Sequence, residues 1–150
     1  MIRKDRSGLV MRSTTAKIFF DTNVLIYASD RHSLEKQQLA REALRSAAKN
    51  GTGVISTQVL QEFYAAATRK LGIPPLIAKE LMVGFEHMEV VQITPLLIRD
   101  AVDTSLANNI SFWDALIVIA AKSAACDTLL TEDLNPGQTV VSVRIENPFQ

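Results

Sequence analysis

The chain has 150 residues, 47% of them hydrophobic and 21% charged, which suits one soluble domain with a single core. Sixteen basic residues balance sixteen acidic ones, so net charge argues neither for nor against a nucleic-acid partner. The single Cys126 excludes an internal disulfide or a multi-cysteine zinc site, and no apolar run approaches the roughly 18 residues that span a bilayer.

Residues 1–16 are basic but lack the apolar segment of a signal peptide. A flexible extension is expected there, with Met11 a second candidate start and a single domain over 17–150. Residues 17–21 (KIFFD) form a compact apolar run of β type, and the DTN that follows is a helix-start signal. A short helix is predicted over 24–28. Apolar positions at Leu39, Ala40, Ala43, Leu44, Ala47 and Ala48 mark a helix over 34–49, closed by Asn50-Gly51. A strand over 53–56 leads into a helix over 57–71, with Leu60, Phe63, Tyr64, Ala67 and Leu71 on its apolar side. Pro74-Pro75 opens a helix to about Met88. A strand at 89–93, a helix at 95–108 and a nearly all-apolar helix at 112–125 follow. Cys126 is expected at the end of that last helix as a buried, inert thiol. Strands are predicted at 128–131 and 140–145, separated by the turn Asn135-Pro136-Gly137.

This alternation argues for an α/β fold with a mainly parallel sheet of four to five strands between helical layers. Right-handed crossovers place all strand carboxyl ends on one edge, where ligands of open sheets bind. Four acids fall on that edge. Asp21 ends the first strand, although a turn or cap role explains it as well. Glu62 lies at the edge of the apolar stripe of its helix, where a solvated, dipole-favoured glutamate would also sit. Asp114 opens the apolar helix, where a buried carboxylate needs a partner or a metal. Ser111-x-x-Asp114 also reads as a capping box. Asp133 follows TLLT in a turn-rich segment, with Glu132 beside it pointing elsewhere and Thr131 offering a hydroxyl. Converging carboxylates repel unless a cation sits between them, by about 4 kcal/mol at 4 Å and an effective dielectric of 20. Oxygen-only ligands favour Mg²⁺, or Mn²⁺ as a substitute, over zinc. His32 and His87 lack metal-ligand spacing. No phosphate-binding glycine loop and no Ser-His-Asp arrangement is present.

Taken in order, FFDTNVLIYA, VISTQVLQEFY, SFWDALIVIAA and LLTEDLNPG resemble the PIN-domain ribonucleases, and in particular the VapC-like toxins of toxin–antitoxin pairs. The closing IENPF resembles the end of such chains, so the likeness covers roughly residues 17–149. It implies a PIN-like three-layer α/β/α fold and a metal-dependent endoribonuclease. The family's acids carry over as Asp21, Glu62, Asp114 and Asp133, all toward the metal, with Asn23 and Thr131 as accessory polar positions. It further implies an RNA substrate, a cognate antitoxin, a homodimer and a cytoplasmic location. Products would carry 5′-phosphate and 3′-hydroxyl ends. Arg31, Arg41, Arg45 and Lys49 are candidate phosphate contacts, equally readable as a solvated helix face. The competing readings are a housekeeping RNA-processing nuclease, a non-catalytic interaction module and a phosphatase of the haloacid dehalogenase type. The last needs an acid two residues after the first Asp, where this chain has Asn23.

Overall fold

The computed structural model describes residues 2–4, 10–12 and 16–150. The expected flexible extension falls largely outside the described residues; within it, β1 (Ile2–Lys4) and β2 (Val10–Arg12) pair antiparallel. The domain itself runs β3 (Ile18–Phe20), α1 (Thr22–Ala28), α2 (Leu34–Asn50), β4 (Gly53–Ser56), α3 (Thr57–Arg69), α4 (Pro75–Phe85), β5 (Glu89–Val91), α5 (Pro95–Asn108), α6 (Phe112–Ser123), β6 (Thr128–Leu130), β7 (Thr139–Val140) and β8 (Val143–Glu146).

Six strands form one sheet in the order β5-β4-β3-β6-β8-β7, parallel except at the β7–β8 edge. The chain steps outward from β3 through β4 to β5. It then crosses back to lay β6 on the other side of β3, so strand order reverses between β3 and β6. Because crossovers are right-handed, this reversal puts α1–α4 on one face and α5–α6 on the other. The result is the three-layer α/β/α architecture expected from the alternation, with six sheet strands rather than four to five. A crevice opens outside the carboxyl ends of strands where their order reverses, and β3 and β6 are that pair here.

The core forms where the strands' apolar residues meet the helical stripes. Phe19, Phe20, Ile55, Leu129 and Ile145 from the sheet, and Leu25, Val59 and Phe63 from the helices, are fully buried. On α3 the buried stripe is Val59, Phe63 and Ala67 at i, i+4, i+8; Leu60 is half-buried and Tyr64, expected inside, is exposed. Helix α6 buries Ala115 through Ala121 without interruption, as its composition predicts. Gly51 closes α2 in the left-handed conformation at φ 65°. Cys126 lies in the turn after α6 rather than in the helix, because the helix ends three residues earlier at Ser123. Burial pushes its thiol up to about 12, aided by Glu89, so it is inert at neutral pH.

The segment expected as one strand over 140–145 is a hairpin. Val140 pairs with Val143 across Val141 (φ 43°) and Ser142 (φ 71°), a two-residue turn with both central residues at positive φ. No Gly or Asn marks it, and the apolar alternation runs straight through. Left-handed backbone costs non-glycine residues about 1–2 kcal/mol. Replacing the exposed Ser142 with Gly is therefore expected to stabilise the fold by about 0.5–1 kcal/mol after glycine's own entropic loss, raising the melting temperature by a few degrees. A lower melting temperature would show that the turn has relaxed otherwise.

Candidate active site

Strand β3 delivers Asp21 to the carboxyl edge of the sheet, and the Asp21 N–H donates to the Leu130 carbonyl at 3.0 Å, tying the ends of β3 and β6 together. Asp21 has extended backbone and caps α1: its Oδ1 accepts from the Thr22 N–H at 2.7 Å. Its Oδ2 accepts from the Thr131 hydroxyl at 2.8 Å. The capping role and the ligand position thus coincide in one residue. Asp21 is only 6% exposed, and among the described residues no cationic side chain forms an ion pair with it. Burial raises its carboxyl to about 7 against those two hydrogen bonds, and the charges of Asp133 and Glu62 push the same way.

Asn23, one helical position further on, bridges to the segment after β6. Its amide donates to Thr131 Oγ1 at 3.2 Å and to Asp133 Oδ2 at 3.1 Å, and its Oδ1 accepts from the Glu132 N–H at 3.3 Å. The Asp133 N–H closes this network on Thr131 Oγ1 at 3.0 Å. Across the cleft, the Thr22 hydroxyl donates to Glu62 Oε1 at 2.9 Å, linking the DTN turn to α3. Ser111 caps α6 by accepting the Asp114 N–H at 3.0 Å, one half of the expected capping box. Asp114 is half-buried, and burial raises its carboxyl against the Ser111 bond, with Asp133 adding to the rise.

Asp21, Glu62, Asp114 and Asp133 line one cleft of about 640 Å³, together with Gln58, Lys70 and Trp113. They do not meet at a point. Among the described residues no three His, Cys, Asp or Glu side chains close around one ion position. Thr22 holds Glu62 and Asn23 holds Asp133 in local hydrogen bonds. The donor chemistry nevertheless fits a hard dication. Every candidate ligand is an oxygen, and Asp21 is buried without a countercharge.

Glu132 lines the same cleft but is held by different partners. It accepts from Tyr27 Oη at 2.7 Å and from Lys36 Nζ at 2.7 Å. Burial works against its charge, but Lys36 and Tyr27 outweigh it and hold Glu132 below the usual glutamate range. The Lys36 ammonium lies over the Tyr27 ring, 4.5 Å from its centroid, and Phe149 packs edge-on against the same ring at 4.8 Å. Lys36 and Tyr27 thus hold Glu132 while Asn23 holds Asp133, and both acids of the pair line the cleft. The four basic candidates separate. Arg31 and Arg41 line an adjoining cavity of about 570 Å³, while Arg45 and Lys49 are exposed on α2 and line neither cavity. Arg41 also donates through Nε to the Ala28 carbonyl at 2.8 Å. His32 and His87 are exposed, as expected.

The PIN domain family model matches residues 18–139, most of the chain. The chain belongs to the PIN domain family. Membership places this PIN domain among the nucleases, and solved structures share its fold. A toxin–antitoxin complex from Klebsiella pneumoniae aligns with a TM-score of 0.64 at 20% identity, covering 85% of this chain and 95% of that one. VapBC2 from Rickettsia felis, bound to a DNA fragment from its promoter, gives 0.64 at 19% identity, covering 87% and 97%. VapC20 of Mycobacterium tuberculosis, a Sarcin-Ricin loop cleaving toxin, gives 0.58 at 18% identity, covering 75% and 87%. No curated protein matches the sequence. Within this PIN domain, sequence reasoning missed Thr22, Gln58, Trp113 and the Lys36–Tyr27–Phe149 cluster. Thr22 was legible in the DTN run; the pairing of Lys36 with Glu132 spans 96 residues and leaves no local signal.

Proposed function

We propose that this PIN domain is a Mg²⁺- or Mn²⁺-dependent endoribonuclease and the toxin of a toxin–antitoxin pair. One observation carries the reading: Asp21, Glu62, Asp114 and Asp133, from four separate segments, line with Asp30 and Glu132 a single cleft at the point where strand order reverses. Asp21, Asp114 and Asp133 would hold the cation, and Glu62 would orient the attacking water. When bound, such a cation supplies a water of lowered pKa and offsets charge on the phosphate. The chain's own contribution is positioning. Thr22 N–H and Thr131 Oγ1 fix both oxygens of Asp21, and Asn23 fixes Asp133. Glu62, held by the Thr22 hydroxyl, would exchange that bond for the water. In-line attack would leave 5′-phosphate and 3′-hydroxyl ends.

Three of the similar folds are of toxin–antitoxin complexes, which supports an antitoxin partner here. A second copy of the chain is proposed to cover α5. There Ile98, Val102 and Leu106 recur every fourth residue and are 41%, 43% and 79% exposed. Purified protein is expected to cut RNA with Mn²⁺ or Mg²⁺ and to stop with EDTA. Intact RNA under these conditions, or release of inorganic phosphate from small esters, refutes the assignment. Light scattering on a Leu106→Glu variant is expected to report a monomer where the wild type is a dimer. Growth arrest on expression, relieved by the product of a small neighbouring reading frame, would separate the toxin from a housekeeping nuclease.

A further inference from the structure

We propose that Trp113 is a stacking platform for an unpaired nucleobase of the substrate strand, with Gln58 reading that base's edge. This rests on the nuclease reading above and specifies how the RNA is held. Trp113 is the chain's only tryptophan and stands immediately before Asp114. It is 62% exposed at the head of a helix that buries Ala115 to Ala121, so core packing does not account for it. A lone exposed apolar residue is ordinary. This one is set apart by its neighbours. It lines the same cleft as the four acids, and Phe112 braces it in an edge-to-face contact at 5.1 Å. From α3, Gln58 Nε2 donates to the Trp113 carbonyl at 3.3 Å and holds its backbone.

Gln58 lines the cleft and is only 5% exposed; its Oε1 is itself buried and has no hydrogen-bond partner among the described residues. The amide orientation follows from the Trp113 carbonyl, which accepts and cannot donate. An exposed aromatic residue and a buried, unpaired acceptor therefore belong to the lining of one cleft. A nucleobase answers both: it has a π face, and its Watson–Crick edge carries an N–H donor whichever base it is. A paired base has its face and edge already occupied. The site selects an unpaired base, and a turn of the Gln58 side chain brings Oε1 to it.

The path away from Trp113 also suits a polyanion. Gln58, Glu62, Ala66 and Lys70 line the cleft at four-residue intervals along α3, a run of about 18 Å at 1.5 Å per residue. The acids lie near its start and Lys70 at its end. There the cleft shares Asp30, His32 and Leu71 with the cavity lined by Arg31 and Arg41. A strand with its base on Trp113 would place a phosphate at the acids and later phosphates at these cations. A basic peptide would suit the acids but meet repulsion at Lys70, Arg31 and Arg41.

The test uses the sole indole as its own reporter. Full-length Asp21→Asn protein with Mg²⁺, which holds RNA uncut, is titrated with a short single-stranded RNA of mixed sequence while tryptophan emission is followed. Strong quenching by the single strand, and little by the matching duplex, is expected. In cleavage assays Trp113→Ala is expected to raise KM roughly 5- to 150-fold, the range of base–aromatic stacking, with kcat nearly unchanged, and Trp113→Phe to recover most of the loss. Unchanged emission, or an unchanged KM in Trp113→Ala while the wild type cuts RNA, overturns the platform and leaves the nuclease standing. Emission that shifts with protein concentration alone, or with an arginine-rich peptide but not with RNA, overturns it in favour of a protein interface. If the wild type cuts no RNA, the nuclease reading fails, and the quenching titration still decides the platform.

Discussion

Asp21→Asn is expected to lose RNA cleavage by far more than the roughly 10–100-fold of a change behind the ligands, and yet to melt higher than the wild type at pH 8 without metal. The two halves have one cause. Asp21 is buried without a countercharge, and its carboxyl is raised from 3.8 to about 7. Between those values the native state keeps a proton that the unfolded chain has released, so stability falls as pH rises through this window. Below about pH 4 both states are protonated and nothing is lost; above about 7 the penalty is complete. A shift of about three units corresponds to at most roughly 4 kcal/mol. Asparagine removes that penalty but accepts more weakly from Thr22 N–H and Thr131 Oγ1, returning about 1 kcal/mol. A net rise on the order of 5 °C is expected at pH 8, shrinking toward nothing near pH 4. Thermal melts of both proteins at the two pH values in EDTA measure it. A variant that melts lower at pH 8 would show that Asp21 is stabilised by something other than the proton.

A divalent cation is expected to do by binding what asparagine does by substitution. Mn²⁺ or Mg²⁺ at a hundredfold excess over its dissociation constant adds about 2.7 kcal/mol to a native state that alone binds it, or roughly 5–10 °C for a chain of this size. The shift is expected to be large at pH 8 and small near pH 5, because the proton on Asp21 competes with the metal. EDTA should reverse it, and Asp21→Asn should lose most of it. Equal shifts in wild type and variant would place the cation elsewhere. Among the described residues no three acids surround one position, so metal binding is expected to draw Glu62 or Asp133 from its hydrogen bonds to Thr22 or Asn23. Thr22→Val is a direct probe of that step, since it frees Glu62 while preserving shape.

Much of this was legible in the chain because its signals are local. Asp21 follows three residues of apolar strand and precedes a helix, and both facts are written within KIFFDTN. Ser111 and Asp114 announce the start of α6 through the spacing of a cap, and uninterrupted apolar residues announce its burial. What was not legible is set by tertiary contact. The hairpin at Val141-Ser142 is invisible because its residues prefer extended backbone, and pairing with β8 forces them out of it. How the four acids are oriented was not legible, because a sequence places residues on an edge but says nothing about rotamers. Thr22 and Asn23 hold two of the four side chains. Of the basic candidates on and before α2, burial patterns could not separate Arg31 and Arg41, beside the cleft, from Arg45 and Lys49.

The contact of Phe149 with Tyr27 connects the segment after β8 to the carboxyl edge of the sheet. Tyr27 holds Glu132, and Glu132 flanks Asp133. Removal of residues 147–150 is expected to free one side of the Tyr27 ring and loosen its hold on Glu132, beside Asp133.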